Sequence, residues 1–185
     1  MRLPTTTDVF RPSQQRGFTL LELVITMAIA AILLVIAIPS FQYITTSNRM
    51  SGEINDLLGA MQLAKAEAIK EGQTATICAS TDQATCSGAS TWNTGWIIFA
   101  GTGNPTPSDP VIHVHGQFYG SDSLQANGNT SAVSFNREGF AFGLPGAGVT
   151  FTLHDPTGSS TYTRCLTATV VGALATTMYN GGSCQ

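Results

Sequence analysis

The chain has 185 residues, of which 43% are hydrophobic and only 10% are charged, well under half the charged fraction of a typical soluble domain. This composition excludes an intrinsically disordered protein, a coiled coil and a collagen. The formal net charge is -3, which argues against a domain that binds nucleic acid through bulk positive charge. The length suits one domain of ordinary size plus an additional segment.

The additional segment lies at the N-terminus. Residues 1–17 carry three arginines and one aspartate, whereas residues 18–38 contain a single charged side chain, that of Glu22. A helix of about 21 residues rises about 30 Å, which is the thickness of the hydrocarbon core of a bilayer. Because the positive flank precedes the apolar run, the positive-inside rule predicts that residues 1–17 stay in the cytoplasm and that the rest of the chain is translocated.

The apolar run has three interpretations. A cleaved secretory signal would use the small residues around Ala30, but the apolar run continues well beyond that point. A permanent membrane anchor fits the length but does not explain Glu22, because a carboxylate inside such a helix costs about 2.5–3.5 kcal/mol. The third interpretation assigns Glu22 a function, which requires a partner for its charge.

The helix is expected to continue beyond the membrane. Pro39 ends or kinks the first stretch, because proline lacks an amide proton and clashes with the preceding turn. Between residues 51 and 69, apolar side chains recur at steps of three and four, which is typical of a helix packed on a core. We therefore expect one long, kinked helix from about residue 19 to 71, with Arg49 and Glu53 paired on its exposed side.

From residue 73 onward, short β-rich runs alternate with clusters of glycine, asparagine, serine and proline, which favours an antiparallel β structure. Seven strands are predicted, at residues 74–79, 96–100, 111–115, 132–135, 149–153, 165–171 and 173–179. The predicted fold class is α+β, with a long N-terminal helix (residues 18–72) packed on a mostly antiparallel β head (residues 73–185). Trp92 and Trp96 are predicted to pack where helix meets sheet, with an indole N–H donating to a carbonyl.

All four cysteines, Cys78, Cys86, Cys165 and Cys184, lie in the translocated part of the chain. An even number of cysteines outside the cytoplasm favours disulfides, and four cysteines allow three pairings. We favour Cys78–Cys86 and Cys165–Cys184, because the members of each pair are close in sequence and bracket a turn-rich stretch. A tetrathiolate zinc site is the alternative, but the sequence contains no Cys-x-x-Cys pair.

Residue patterns for catalysis or metal binding are sparse. His113 and His115 lie two apart in a predicted strand and therefore face the same side; together with His154 they could form a three-histidine site, but no carboxylate has a matching spacing and no metal is predicted. The sequence contains no nucleophile elbow, Walker loop or His-Glu-x-x-His motif. We therefore predict no catalytic residue and no cofactor, and we do not expect an enzyme.

Residues 16–23 (RGFTLLEL) resemble the class III signal of type IV prepilins and type II secretion pseudopilins: a basic leader ending in glycine, a phenylalanine, a glutamate four residues later and an apolar run. The resemblance implies that a prepilin peptidase removes residues 1–17 by cleaving between Gly17 and Phe18, and methylates the new amine of Phe18. It also implies that Glu22 pairs with the N-terminal amine of an adjoining subunit in a filament, so that neither charge is buried alone.

Motifs of the head resemble the GspH/FimT branch of this family. They are the Cys78–Cys86 spacing followed by residues 92–99 (WNTGWIIF), residues 134–139 (SFNREG), and residues 164–166 (RCL) with the late Cys184. The resemblance implies a minor pilin in a FimU-like role, which primes assembly of the type IV pilus near its tip. Its partners would be other major and minor pilins, and it would reside in the inner membrane before assembly. A GspH-like pseudopilin of type II secretion is the alternative.

A third function, DNA reception during transformation, is disfavoured by the sequence. In the FimT subgroup this activity is associated with a basic Gly-Arg-x-Arg segment close to the C-terminus, and the corresponding residues 172–177 here read GALATT. Contacts to phosphate depend on lysine and arginine, yet beyond Glu71 only Arg137 and Arg164 remain. We expect these two arginines to brace turns or cover apolar surface, and nucleic acid is not an expected partner.

Overall fold

The computed structural model describes residues 17–106, 109–180 and 184, so that nearly all of the expected leader lies outside the described residues. Helix α1 spans Leu20–Glu71 and contains Pro39. The helix bounds predicted from the sequence are therefore correct to within one residue, and α1 does not end at Pro39. The described chain divides into two compact units between Tyr43 and Ile44, inside this helix.

The described residues of the second unit form nine strands in two antiparallel sheets. In chain order the strands are β1 (Ala75–Ala79), β2 (Trp96–Ala100), β3 (Val111–His115), β4 (Ser123–Ala126), β5 (Ala132–Phe135), β6 (Ala141–Phe142), β7 (Gly148–His154), β8 (Arg164–Thr169) and β9 (Leu174–Met178). The first sheet has the order β3-β2-β1-β5-β6 and the second has the order β4-β7-β8-β9. A short 3-10 helix, Asn127–Asn129, connects β4 and β5.

All seven predicted strands are present, and two further strands, β4 and β6, were not predicted. Strand β6 has only two residues, too few for alternation to be visible in a sequence. Strand β4 reads SLQA and contains no β-branched or aromatic residue, the residue types that favour strands. The α+β fold class with a mostly antiparallel head is confirmed.

The main core forms where the apolar stripe of α1 meets the sheets. The apolar side chains that recur at helical spacing on α1 are buried, except for the partly buried Leu58; they are Ile54, Leu57, Leu58, Met61, Ala64 and Ala68. Strand β7 alternates between buried and half-buried residues, as expected of a strand with one face on a core. Strands β1 and β2 are buried along their whole length. The side chains on their other face, Cys78, Ile97 and Phe99, form a second apolar cluster, against which Cys86 and Ala132 pack.

Trp92 and Trp96 are both fully buried in the main core. The indole Nε1 of Trp92 donates a hydrogen bond to the carbonyl of Thr130 at 3.0 Å, and its ring meets that of Phe151 edge-on at 5.0 Å. Trp96 instead stacks on the ring of His115, with centroids 4.0 Å apart, and its Nε1 has no hydrogen-bond partner among the described residues. The predicted indole-to-carbonyl bond therefore exists for Trp92 only.

Two disulfides hold the loops of the head. Cys78 is bonded to Cys86 and Cys165 to Cys184. Inside the first loop, the carboxylate of Asp82 accepts hydrogen bonds from the hydroxyl of Thr85 and from the backbone amides of Thr85 and Ala84. These bonds, led by that of the Thr85 hydroxyl, hold the pKa of Asp82 well below its usual range, so the loop is ordered around an ionised carboxylate.

Peptide mapping of the unreduced full-length chain should recover two cross-linked peptide pairs, Cys78 with Cys86 and Cys165 with Cys184, and no free thiol. The double substitution Cys78→Ser/Cys86→Ser should lower the free energy of unfolding by about 2–4 kcal/mol, because it releases a closed loop. The same variant should still contain the Cys165–Cys184 bridge, which serves as the internal control. Free thiols in the wild-type protein, or a crossed pairing, would contradict this connectivity.

Candidate assembly site

The first half of α1 presents apolar side chains to its surroundings over its whole length. The most apolar 18-residue window of the helix contains no buried residue, and α1 is long and apolar enough to cross a membrane. Large exposed apolar side chains run from Phe18, which is 81% exposed, to Ile44. A continuous surface of this kind requires lipid or other apolar helices around it.

Gly17 and Phe18 precede the first turn of α1, and both are exposed. The hydroxyl of Thr19 accepts a hydrogen bond from the backbone amide of Glu22 at 3.2 Å. Thr19 therefore acts as the N-cap of α1, and residues 19–22 (TLLE) match the capping-box pattern of Ser/Thr-x-x-Glu. This local role of Thr19 was readable in the sequence but was not predicted.

Glu22 lies in the first turn of α1 and is exposed. A negative charge in this position interacts favourably with the partial positive charge at the helix N-terminus, typically by 0.3–1 kcal/mol at exposed sites. That amount is smaller than the cost of placing a lone carboxylate in an apolar environment. The helix terminus alone therefore does not compensate the charge of Glu22 in a lipid or filament core, and a cationic partner is still required.

Three cationic side chains form hydrogen bonds or ion pairs between the second half of α1 and the head. Arg164 is only 6% exposed and donates to the hydroxyls of Ser47 and Ser51 on α1, at 2.9 and 3.3 Å. The same guanidinium donates to the backbone carbonyls of Thr161 and Thr163, both at 3.1 Å. Arg164 therefore bridges helix and head through neutral acceptors, which agrees with the expected bracing role.

The other two cations, Arg49 and Lys65, bind the head at different positions along α1. Arg49 binds the buried carboxylate of Asp122 at 2.9 Å, and the ammonium of Lys65 donates to the carbonyl of Gly172 at 2.8 Å. The predicted Arg49–Glu53 pair on the exposed side of α1 is therefore wrong. Arg49 turns to a partner 73 positions away in the sequence, and Glu53 is buried at the junction instead.

The three histidines do not come together. His113 and His115 face the same groove beside α1, as predicted for positions two apart in a strand, and Nε2 of His115 lies 3.9 Å from a carboxylate oxygen of Asp56. His154 belongs to β7 in the other sheet, where its Nδ1 lies 3.0 Å from the hydroxyl of Thr163. Within residues 17–106, 109–180 and 184, no cluster of three or more potential ligands could hold a metal ion.

The head offers little positive surface. Of the two arginines beyond α1, Arg164 is buried, and Arg137 is exposed but paired with the adjacent Glu138 at 2.7 Å. Residues 172–177, which correspond to the basic segment of the FimT subgroup, include the turn before β9 and most of that strand without a lysine or an arginine. A surface of this kind lacks the cations that phosphate contacts require.

An apolar, capped helix that continues into an antiparallel β head defines a pilin-type subunit. The chain belongs to the GspH family: the family model described as type II transport protein GspH matches residues 53–172. The model of the prokaryotic N-terminal methylation motif matches residues 12–38. Proteins of the pilin family are structural subunits.

The fold resembles that of the type IV minor pilin FimU of Pseudomonas aeruginosa PAO1. Two crystal forms of FimU match with TM-scores of 0.56 and 0.53, each at 18% identity. The matches cover 69% and 66% of this chain and 87% and 88% of the FimU chain. No curated protein is significantly similar in sequence.

Arg164→Ala should lower the free energy of unfolding by about 2–3 kcal/mol, because the serine hydroxyls on α1 and the carbonyls of the head lose a charged donor. Arg137→Ala is the matched control: it removes an exposed arginine with an exposed partner and should leave the free energy of unfolding nearly unchanged. Urea unfolding of the full-length chain in detergent micelles measures both. Equal effects of the two substitutions would contradict the bridging role of Arg164.

Proposed function

We propose that the protein is a minor pilin, a structural subunit of the type IV pilus that helps to prime assembly and lies near the tip. One observation carries the proposal: the apolar window of α1 has no buried residue, yet the same helix continues into a GspH-type head that packs tightly around its second half. Such a helix leaves one half free for other subunits. The fold of FimU, itself a type IV minor pilin, supports the pilus over other assemblies.

The proposed mechanism begins at the membrane. A prepilin peptidase cleaves between Gly17 and Phe18 and methylates the amine of Phe18, in keeping with the methylation motif over residues 12–38. Before assembly the helix resides in the inner membrane with the head in the periplasm. On assembly the apolar half of α1 moves from lipid into a bundle of similar helices formed by other major and minor pilins.

Glu22 then fixes the axial position of each added subunit. An ammonium and a carboxylate are each costly to bury alone in an apolar bundle, but the two compensate one another when they pair. The N-terminal amine of Phe18 on an adjoining subunit supplies the cation that the helix terminus cannot replace. The pairing is satisfied at one axial offset only, so a subunit that slips by a turn leaves two buried charges unpaired.

A GspH-like pseudopilin of type II secretion is the second candidate, and the description of the matching family model favours it. Both functions use the same helix and the same processing. Deletion of the gene separates them, because loss of a minor pilin reduces surface pili whereas loss of a pseudopilin reduces the secretion of folded enzymes. DNA reception is not proposed, since Arg137 is the only exposed arginine beyond α1 and is paired with Glu138.

The role of Glu22 can be tested with two substitutions that separate charge from helix capping. Glu22→Ala removes both the charge and the capping-box side chain, whereas Glu22→Gln keeps a capping-competent side chain and removes only the charge. We expect both variants to reach the membrane and to fall at least about tenfold in the filament fraction, because each leaves an unpaired amine in the bundle. Immunoblots of sheared filaments and of membranes measure the two pools.

Glu138→Gln is the matched control, because it neutralises an exposed glutamate on the head, and it should assemble like the wild type. If Glu22→Gln assembles normally while Glu22→Ala does not, Glu22 serves to cap the helix and the charge-pairing mechanism is wrong. If both variants assemble normally, Glu22 has no role in assembly.

A further inference from the structure

Two carboxylates are buried side by side where α1 meets the head. Glu53 on α1 is 8% exposed, and Asp122, immediately before β4, is 2% exposed. Arg49 donates to one oxygen of Asp122, Oδ1, at 2.9 Å. Oδ2 of Asp122 and Oε2 of Glu53 receive no hydrogen bond from any nitrogen or hydroxyl donor of the described residues. Because Arg49 and Glu53 lie one turn apart on the same face of α1, the bond from Arg49 to Asp122 brings the two buried carboxyl groups next to one another.

The charges around Glu53 do not balance if both acids are ionised. Asp122 and Asp56 add negative charge, and among the described residues Arg49 is the cation that acts on Glu53. The remaining titratable neighbours are His115 and Tyr119, which line the adjacent cavity, and His115 is directed toward Asp56 rather than Glu53. Burying a second, unpaired carboxylate is costly, whereas a proton between two carboxyl groups removes one charge and gives both free oxygens a partner.

We propose that Glu53 and Asp122 share one proton in the folded chain, and that this O–H···O bond is a pH-sensitive clasp that holds residues 116–122 against α1. This inference goes beyond the proposed assembly role of the protein and does not depend on it, since Glu53 and Asp122 lie where the second half of α1 is packed in the head. The proton comes from solvent on folding and returns to solvent when the clasp opens, so no other reactant is needed.

The titration of Glu53 agrees with this geometry. Burial, followed by the charge and hydrogen bond of Asp122, raises the pKa of Glu53 from 4.5 to about 7, and Arg49 opposes the shift only in part. Between these two pH values the folded chain keeps a proton that the unfolded chain has lost. Stability therefore falls as the pH rises from about 4.5 to about 7, and this contribution is constant above that range.

The segment held by the clasp can move without disrupting a strand. Residues 116–122 connect β3 to β4, and a cavity of about 230 Å³ between this segment and α1 is lined by Glu53, Asp56 and Phe118, among others. Tyr119, at the surface of the segment, is 92% exposed. When the proton leaves, water entering through this cavity can solvate the second carboxylate as the segment shifts outward.

Glu53→Gln tests the clasp, because its amide can donate to Oδ2 of Asp122 at every pH and so mimics the protonated state. Urea unfolding in detergent micelles measures the unfolding constant of each full-length protein. Between pH 5 and 7.5, the constant of the wild type should rise about ten- to hundredfold more than that of Glu53→Gln. The difference between the two proteins removes the pH dependence that they share. Glu71→Gln neutralises an exposed acid at the end of the same helix, and this variant should retain the wild-type pH dependence.

Two results would overturn the clasp. The first is a pair of parallel pH profiles for wild type and Glu53→Gln. The second needs no variant: in the wild-type chain, the carbon-13 NMR signal of the Glu53 carboxyl should titrate near pH 7, and a midpoint near 4.5 would show that the proton is not shared.

Hydrogen exchange tests the opening of the segment itself. The Phe118 amide, which is bonded to the carbonyl of Asn93, should be protected from exchange at least about tenfold less at pH 8 than at pH 5.5, after correction for intrinsic rates. Equal protection at the two pH values would contradict the opening of the segment.

Discussion

One helix has to satisfy two different surroundings, and the rest of the structure follows from this constraint. The first half of α1 is apolar on every side and exposed, so its stability depends on lipid or on similar helices. The second half is apolar along one stripe only and is packed on two antiparallel sheets of its own chain. The head can therefore keep its fold around its part of the helix while the other half exchanges one apolar environment for another.

Apolar packing alone would not fix the position of the helix on the head. A stripe that repeats every three or four residues packs almost equally well after a shift of one turn. Polar contacts remove this freedom, because Arg164 matches Ser47 and Ser51 and Arg49 matches Asp122 at one offset only. Buried polar groups that specify register rather than add stability have precedent in other proteins. Glu22 is proposed to do the same between subunits, so that charged side chains set the offset of both halves of the helix.

The sequence predicted those features that depend on local patterns. Helical periodicity and strand alternation located α1 and seven strands, because both repeat within a few residues. The strand β4 was missed because SLQA, although it alternates between polar and apolar residues, is only four residues long and contains no β-branched or aromatic residue. The Arg49–Asp122 contact could not be predicted from spacing along the helix, since its partners are joined only by the fold. Glu53 was predicted to lie on the exposed side of α1 because Arg49, one turn away, is a suitable ion-pair partner. Its burial beside a second acid contradicts that prediction.

The motif around Glu22 differs from these long-range contacts, because one short run of residues has two roles. Residues 19–22 satisfy a helix capping box and also form part of the processing and assembly signal. The structure accounts for the first role through the Thr19 hydrogen bond. The second role involves a peptidase and neighbouring subunits, which are other molecules. It is therefore tested by analysing the processed N-terminus of the protein rather than its fold.

N-terminal sequencing combined with intact-mass measurement of the protein isolated from bacterial membranes tests the proposed pairing of Glu22 with the amine of Phe18. We expect the mature chain to begin at Phe18 and to carry one methyl group on its amine. Cleavage creates this amine, which is the cation that Glu22 needs. A chain that begins at any other residue would have no such amine at the required position. That result would contradict the proposed processing and, with it, the assembly mechanism.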